Sequence, residues 1–317
     1  RYSYIIAAAA MLASCGSDNE PNPNGNYPED GRVRIRTAIA EPEHRSATEY
    51  TGDNLGFFLK ASSESETRYN SENVMWTNNG GSWSSSTMVL WPGADTPVEI
   101  YAYSPYLIDG VAARYITFNI PTDQSAGIEG ADFVYECKQD FVPSRDLDAS
   151  KTLNLLMKHA LVKLTLNLTM GDEFDGKDVS VQKVVIRQTA GCVMINITRP
   201  DIKNAVTAAN GDSYADVNMH QIEALDGNAY EAIFFPSKGQ KPGERMITVY
   251  MSNGKAYSYT VPAGGIRLEA GCAYNMNLRI GKDKLSLRGV YLMDWNGDGN
   301  NLNGGEAEGE TLTPKRL

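Results

Sequence analysis

The sequence has few residues of the kinds that build metal sites and catalytic centres. It contains only three histidines in 317 residues, and they are too scattered to form an obvious zinc site. The motifs G-x-S-x-G, H-E-x-x-H and G-x-x-x-x-G-K-[ST] are absent, so the common signatures of hydrolases, metalloproteases and nucleotide-binding proteins are missing. The sequence therefore predicts a protein that is not an enzyme and that needs no cofactor.

Long apolar runs and helical periodicity are also missing. Beyond the N-terminal segment, no run is long and apolar enough to cross a membrane as a helix, which takes about 20 residues. No segment after the N-terminus shows a sustained period of 3.6 residues, which argues against long helices. The formal net charge is −10 and the pI is about 4.9. Because phosphate binding needs clustered Lys and Arg, this balance argues against a nucleic-acid partner.

The N-terminus has the pattern of a secretory signal. Arg1 precedes an apolar run, and the sequence Leu12-Ala13-Ser14-Cys15 follows. A basic start, a short apolar stretch and small residues are typical of a cleaved signal peptide. The segment resembles a bacterial lipobox, which implies cleavage after residue 14 and a covalent lipid on the Cys15 thiol. Several acyl chains at one site would anchor the chain in the outer membrane. The alternative is an ordinary signal peptide with a chance cysteine.

Residues 15–31 are predicted to form a disordered tether behind this anchor. They are polar and rich in Asn, Pro, Gly and acidic residues, with little to bury. Asp18 and Glu20 resemble the surface-export signal of lipoproteins from Bacteroidota-type bacteria, which implies a location at the cell surface.

The other cysteines do not form a recognisable framework. Cys137, Cys192 and Cys272 are far apart, odd in number and without C-x-x-C spacing. We expect buried structural thiols, although one pair could form a disulfide in an oxidising compartment.

The first strand signal lies directly after the tether. Val33, Ile35 and Ile39 alternate with polar residues, and this period of two predicts a half-buried strand. A charged, proline-containing loop with Arg45 follows. A cut after Arg45 would release the strand as a unit; the simpler alternative is a plain exposed loop.

The rest of the sequence predicts an all-β fold with two tandem antiparallel β-sandwich domains. Short runs of β-branched and aromatic residues alternate with Gly, Asn and Pro turns. We place one domain at residues 32–150 and the other at 151–317. Residues 153–170 give the strongest strand signal and are predicted to be the first long strand of the second domain. Asn253-Gly254 predicts a tight hairpin.

A possible calcium loop lies near the C-terminus. Asp294, Asn296 and Asp298 have the spacing of the first ligands of such a loop, with Gly299 at position 6. Position 12 is Gly305 instead of the required Glu, and no helices flank the segment. We therefore predict a solvated turn and no metal.

The order of several local motifs resembles the fimbrillin-like family. The matching segments are Arg45-Ser46-Ala47-Thr48, Gly52-Asp53-Asn54-Leu55-Gly56-Phe57-Phe58, Trp91-Pro92, Ile100-Tyr101-Ala102-Tyr103-Ser104-Pro105-Tyr106, Asp123-Gln124-Ser125, Asp132-Phe133-Val134-Tyr135 and Lys158-His159-Ala160-Leu161-Val162-Lys163-Leu164. Together with the lipobox, they cover most of the chain. Met157 and Glu136 depart from the family pattern, where an aromatic and a small residue are usual.

The resemblance implies transthyretin-like β-sandwich domains and a structural subunit of a surface fimbria or pilus, in its shaft, tip or anchor, that supports adhesion. In such subunits an Arg-specific protease removes the N-terminal strand, and a strand from another subunit fills the exposed groove. The displaced strand here would be that of Val33, Ile35 and Ile39, and the partners would be other fimbrial subunits.

The donor strand is predicted in the last strand-like run, residues 285–295. Leu285, Leu287, Tyr291 and Met293 would point into the acceptor groove, with a bulge at Gly289. The alternative is that this run completes the second sandwich of its own chain.

A surface glycan-binding lipoprotein is the alternative function, with a host or bacterial surface glycan or protein as its partner. Trp76 and Trp83, which lie among Asn, Gly and Ser, could stack on sugars in that case.

Overall fold

The computed structural model describes residues 25–40, 48–109, 111–112, 114–209, 214–223 and 228–295. Within these ranges the fold is all-β, as predicted. The helical elements there are one short α-helix, Pro143–Asp146, and the 3₁₀ turns Glu64–Tyr69, Glu129–Ala131, Asp172–Phe174, Ile202–Asn204 and Lys238–Gln240. None of the helices in the described ranges could span a membrane.

Twenty-one strands build the described part of the chain. The first ten are β1 (Ile35–Ile39), β2 (Thr48–Glu49), β3 (Asn54–Ala61), β4 (Ser71–Asn79), β5 (Ser82–Ser85), β6 (Val98–Ser104), β7 (Val111–Ala112), β8 (Tyr115–Asn119), β9 (Val134–Phe141) and β10 (Leu153–His159). The others are β11 (Val162–Met170), β12 (Val181–Ala190), β13 (Cys192–Asn196), β14 (Val206–Ala208), β15 (Tyr214–Asn218), β16 (His220–Ile222), β17 (Ala229–Phe234), β18 (Arg245–Met251), β19 (Ala256–Thr260), β20 (Ala273–Ile280) and β21 (Leu285–Met293).

Sheet I contains eight strands in the order β2-β1-β10-β9-β6-β3-β4-β5. Its pairs are antiparallel except for β1 and β10, which run parallel. One of its faces carries an apolar core that includes Leu55, Phe57, Trp91 and Leu153, each at most 2% exposed. This core is where β1 buries its apolar side.

The predicted long strand at 153–170 is wrong, because it is two strands in two different sheets. The buried residues of β10 are Leu153, Leu155, Met157 and His159, all at odd positions. After Ala160 and Leu161 the alternating apolar positions of β11 are even, beginning with Val162, Leu164 and Leu166. A change of phase in a period-two pattern turns the other face of the strand inward. Here the chain also leaves sheet I, because β10 pairs with β9 whereas β11 pairs with β17 and β20.

The second sandwich consists of sheet II (β16-β17-β11-β20-β21) and sheet III (β15-β12-β18-β19). Their inner faces share one core, which includes Leu164, Val184, Phe234 and Met276, all fully buried. The predicted hairpin at Asn253-Gly254 joins β18 to β19, and Gly254 there has a φ of +80°, which suits glycine.

Sheet IV (β14-β13-β8-β7) joins the two halves of the sequence. Strand β8 precedes the predicted domain boundary and β13 follows it, yet they pair from Tyr115↔Asn196 to Asn119↔Cys192. The inner face of sheet IV packs in a third core together with Tyr103 of sheet I and Ile233 of sheet II. The chain passes from sheet I to sheet II at residues 160–161, later than the boundary predicted at 150.

One smaller prediction differs from the structure. The end of the predicted disordered tether, residues 25–31, is instead packed on sheet I. The backbone N–H of Asn26 donates to the Ser144 carbonyl at 3.2 Å, and Tyr27 contacts the core of sheet I. No disulfide joins the three cysteines of the described ranges.

Candidate subunit-assembly site

Strand β1, together with the two residues before it, has one apolar face and one charged face, as the sequence predicted. Val33, Ile35 and Ile39 are 5–7% exposed, whereas Arg34 and Arg36 on the other face are exposed. Alternation with period two places every second side chain in the core of sheet I. Burying each of these apolar side chains stabilises the protein by about 1.5–3 kcal/mol.

Only one full-length neighbour holds β1 in the sheet. It pairs in parallel with β10 from Ile35↔Leu153 to Ile39↔Met157. The Leu153 N–H donates to the Arg34 carbonyl and the Ala40 N–H donates to the Met157 carbonyl, both at 2.8 Å. On its other side β1 pairs only with the two residues of β2. The strand is therefore well packed on its face but lies next to the edge of the sheet.

The segment before β1 is attached to the loop that follows β5. The Val33 N–H donates to the Val89 carbonyl at 3.0 Å, and the Trp91 N–H donates to the Gly31 carbonyl at 2.9 Å. Removal of residues 32–41 would break the Val33–Val89 hydrogen bond and the β1–β10 ladder. It would uncover the apolar side chains of β10, Leu153, Leu155 and Met157, which are at most 1% exposed in the intact fold.

Thr37 is a polar residue within the buried face of β1, and sequence reasoning assigned it no role. It is 3% exposed. Its hydroxyl accepts a hydrogen bond from Trp83 Nε1 at 3.0 Å and donates to the Tyr50 carbonyl at 3.2 Å. Burial raises the pKa of Tyr50 to about 12, so this phenol stays neutral. Thr37 thus links β1 to β5 and to the end of β2, contacts that a period-two pattern does not reveal.

The charged face of β1 carries exposed ion pairs. Arg34 donates two hydrogen bonds to Asp30, at 2.6 and 3.0 Å, and these hydrogen bonds lower the pKa of that carboxyl to about 2. Arg36 lies 3.8 Å from Asp148. Because exposed pairs of this kind contribute little to stability, the apolar face and the backbone ladder hold β1 in place.

Arg45, the predicted cleavage site, and Cys15, the predicted lipidation site, lie outside the described residues. Their roles stay predictions. Described structure stops at Ala40 and resumes at Thr48, and β1 and β2 on either side pair antiparallel. Residues 41–47 therefore connect two adjacent strands at the edge of sheet I.

The predicted donor segment forms β21, the edge strand of sheet II in its own chain. It pairs antiparallel with β20 from Ile280↔Leu285 to Ala273↔Met293. The predicted bulge is present. Asn277 pairs with Gly289, and the next residue of β20, Leu278, pairs with Leu287, so β21 has one extra residue at this point. In this structure the run completes the second sandwich of its own chain, which is the alternative given above. Its role as a donor strand stays a prediction.

The four predicted donor side chains do not share one buried face. Leu285 is 6% exposed and Leu287 is 40% exposed, while Tyr291 and Met293 are half-buried. The bulge between them changes which side of the strand faces the core. As a result Val290, which is not among the four predicted donor residues, is also buried, at 8% exposed.

Trp295 fixes the end of β21 to the junction between sheets I and II. Its ring stacks on His159 with centroids 3.7 Å apart, and its carbonyl accepts a hydrogen bond from Lys163 Nζ at 2.9 Å. Lys163 also forms a buried ion pair with Glu231 at 3.2 Å, and His159 Nδ1 lies 2.8 Å from Asp132. These contacts tie the C-terminal strand to the residues that flank the switch from β10 to β11.

Most of the possible calcium loop lies outside the described residues, so the prediction of a turn without metal stays a prediction. Asp294 lies in the described part of the chain, whereas Asn296 and Asp298 do not. Nowhere in the described part do three or more His, Cys, Asp or Glu residues form a group that could hold a metal ion.

The two tryptophans considered for sugar stacking have structural contacts instead. Trp76 is 5% exposed and packs edge-on against Phe57, with ring centroids 5.9 Å apart. Trp83 is half-buried against the core of sheet I, and its Nε1–H donates a hydrogen bond to the Thr37 hydroxyl. Neither of them provides an open aromatic platform.

Solved structures of cell adhesion and fimbrial proteins share this fold at low sequence identity. A protein assigned to cell adhesion from Bacteroides uniformis has a TM-score of 0.58 at 16% identity, covering 84% of this chain and 99% of its own. One from Bacteroides ovatus has a TM-score of 0.58 at 15% identity, covering 84% and 98%. The tip fimbrial protein Mfa3 from Porphyromonas gingivalis, with a C-terminal truncation, has a TM-score of 0.51 at 10% identity, covering 83% of this chain and 99% of the truncated chain. Among curated proteins, no relative matches.

A family comparison gives a more specific result than these shared folds. The family described as fimbrillin-like matches residues 46–295, which include every strand from β2 to β21. The match also contains nearly all of the motifs on which the resemblance rested. The chain belongs to the fimbrillin-like family.

Proposed function

We propose that this chain is a structural subunit of a bacterial surface fimbria that assembles by strand replacement. The observation that carries the proposal is β1: an amphipathic strand, buried on one face, held by a single full-length neighbour and followed at once by the connection that contains Arg45. Its family and its structural neighbours, which are fimbrial and cell adhesion proteins, support a fimbrial role at the cell surface.

The groove left by β1 would suit a strand from a neighbouring subunit. Each backbone hydrogen bond to β10 would contribute about 0.5–1.5 kcal/mol, and each buried apolar side chain about 1.5–3 kcal/mol. A replacement strand needs apolar residues at alternate positions, like those of Val33, Ile35 and Ile39, to cover Leu153, Leu155 and Met157. Addition of a strand to an open sheet in this way would give a durable joint.

An Arg45→Ala substitution tests the proteolytic step. We expect the variant to keep its N-terminal strand and to fail to assemble, because the connection between β1 and β2 is no longer cut. Mass spectrometry of surface-purified protein would locate the mature N-terminus, and native gels would show whether ladders form.

Arg36→Ala is the matched control for Arg45→Ala. Arg36 is an exposed arginine upstream, but its backbone is paired with Asn154 in the ladder and is a poor protease substrate. This variant should mature and assemble like the unmodified chain. Assembled Arg45→Ala protein with an intact N-terminal strand would contradict the proposal.

We also propose that a lipid on Cys15 anchors the subunit in the outer membrane. A Cys15→Ala variant should lose labelling by a fatty-acid analogue and leave the membrane fraction, since a covalent lipid is the proposed anchor. Cys192→Ala, a substitution of a partly exposed cysteine in sheet IV, should leave both properties unchanged. Equal retention and labelling of the Cys15→Ala variant would exclude the lipid anchor.

A further inference from the structure

The outer face of sheet III contains a depression that plays no part in the proposed strand replacement. Its volume is about 280 Å³, and its lining residues are Lys183, Val185, Arg187, Asp216, Asn218 and Tyr250. The neighbouring residues Val184, Ile186, Val217 and Val249 point to the core on the inner face. Alternation along three adjacent strands therefore brings all six lining side chains to one outer surface.

Two cations and one carboxylate line the depression in a chain whose net charge is −10. Arg187 Nη1 lies 3.1 Å from Asp216 Oδ2, and the other oxygen of Asp216 accepts the Gln188 N–H at 2.9 Å. This fixes Arg187 while leaving most of its five N–H donors unused. Lys183 is exposed and forms no salt bridge within the described ranges. Its charge acts at longer range on the Asp123 carboxylate, and its ammonium group stays open to an anionic ligand.

The remaining lining groups suit a ring that carries hydroxyls. Asn218 Nδ2 donates to Asp123 Oδ1 at 2.9 Å, which leaves its side-chain carbonyl as an acceptor. Tyr250 is half-buried and lies directly opposite Lys183 on the neighbouring strand. The electron-rich face of an aromatic ring attracts the C–H groups of a sugar, and its phenol can bond to a hydroxyl. Val185, 5% exposed, forms an apolar floor.

From this arrangement we infer that the depression binds a single acidic sugar residue, such as a uronic acid, at the end of a surface glycan. Lys183 and the free donors of Arg187 would hold its carboxylate, and Asp216 and Asn218 would accept its hydroxyls. The volume is slightly below the range of about 300–1,000 Å³ that is typical of drug-sized ligands, which fits one ring. A peptide carboxylate would use the two cations but not the two acceptors or Tyr250. The inference does not depend on strand exchange.

Saturation-transfer NMR on the purified protein, with sodium glucuronate, glucose and a diglutamate peptide as probes, tests the inference. Glucuronate should bind, and both of the other probes should bind at least about tenfold more weakly, because each lacks either the charge or the hydroxylated ring. Lys183→Gln should weaken glucuronate binding about tenfold. Tyr250→Leu should weaken it as well.

Lys255→Gln is the matched control, because it makes the same change of charge at an exposed turn next to sheet III, outside the depression. It should bind glucuronate like the unmodified protein. Absence of glucuronate binding, or equal binding by Lys183→Gln, would overturn the site. Equal binding of glucose would overturn the requirement for an acid, and equal binding of diglutamate would assign the site to acidic peptides instead.

Discussion

Truncation after Lys284 is expected to abolish cooperative folding of the chain. It removes β21 from its full-length pairing with β20 and takes away the buried side chains of Leu285, Val290 and Trp295. Loss of the two aliphatic side chains alone costs about 1.5–3 kcal/mol each, and loss of a buried tryptophan about 3–5 kcal/mol. Their sum is comparable with the whole stability of an ordinary domain, about 5–15 kcal/mol.

The truncated chain also loses one contact at each of two buried polar residues. Lys163 would lose the Trp295 carbonyl, and the ring of His159 would lose its stacking partner. Both residues are buried, so their exposure would loosen the junction between sheets I and II. We therefore expect the damage to spread beyond the edge of sheet II.

Circular dichroism melting and size-exclusion chromatography would measure this outcome. We expect aggregation or a broad, non-cooperative transition, and this result would assign β21 to its own fold and exclude it as the donor strand. A folded monomer with a nearly unchanged melting temperature that no longer polymerises would contradict the expectation. That result would support the donor role predicted for Leu285, Leu287, Tyr291 and Met293.

Trp91→Ala is expected to cause the largest loss of stability of any alanine substitution in the core of sheet I, because Trp91 is the largest fully buried side chain there. Trp91 is 2% exposed and stacks on Phe141 with ring centroids 5.6 Å apart. Replacing a buried tryptophan by alanine costs about 3–5 kcal/mol, through lost contacts and the cavity that remains. For a chain of this size, we expect the melting temperature to fall by about 10 °C.

Trp91→Phe separates the loss of packing from the loss of the indole N–H. Trp91 Nε1 is buried and has no hydrogen-bond partner among the described residues, so phenylalanine loses no hydrogen bond there. It keeps an aromatic ring against Phe141, and we expect less than half of the destabilisation seen with Trp91→Ala. Equal destabilisation by both variants in thermal melts would show that stacking on Phe141 is not what makes Trp91 important.

Local sequence patterns determined much about this protein. The alternation of Val33, Ile35 and Ile39 with charged residues predicted a half-buried strand, and β1 has that burial pattern. The absence of helical periodicity and the frequent turn residues predicted an all-β fold. These properties follow from the backbone geometry of a single strand or turn, which neighbouring residues in the sequence specify directly.

Only the tertiary structure decided how the strands combine. Ala160 and Leu161 separate β10 from β11. Which sheet each of these strands joins depends on the core against which its side chains pack. Sheet IV pairs β8 with β13 across the predicted domain boundary, and the Thr37–Trp83 hydrogen bond joins strands far apart in sequence. The depression on sheet III likewise requires Lys183, Asp216 and Tyr250 to be placed side by side by β12, β15 and β18. Strand order and register come from contacts between distant segments, and a local period of two is the same for every partner a strand could have.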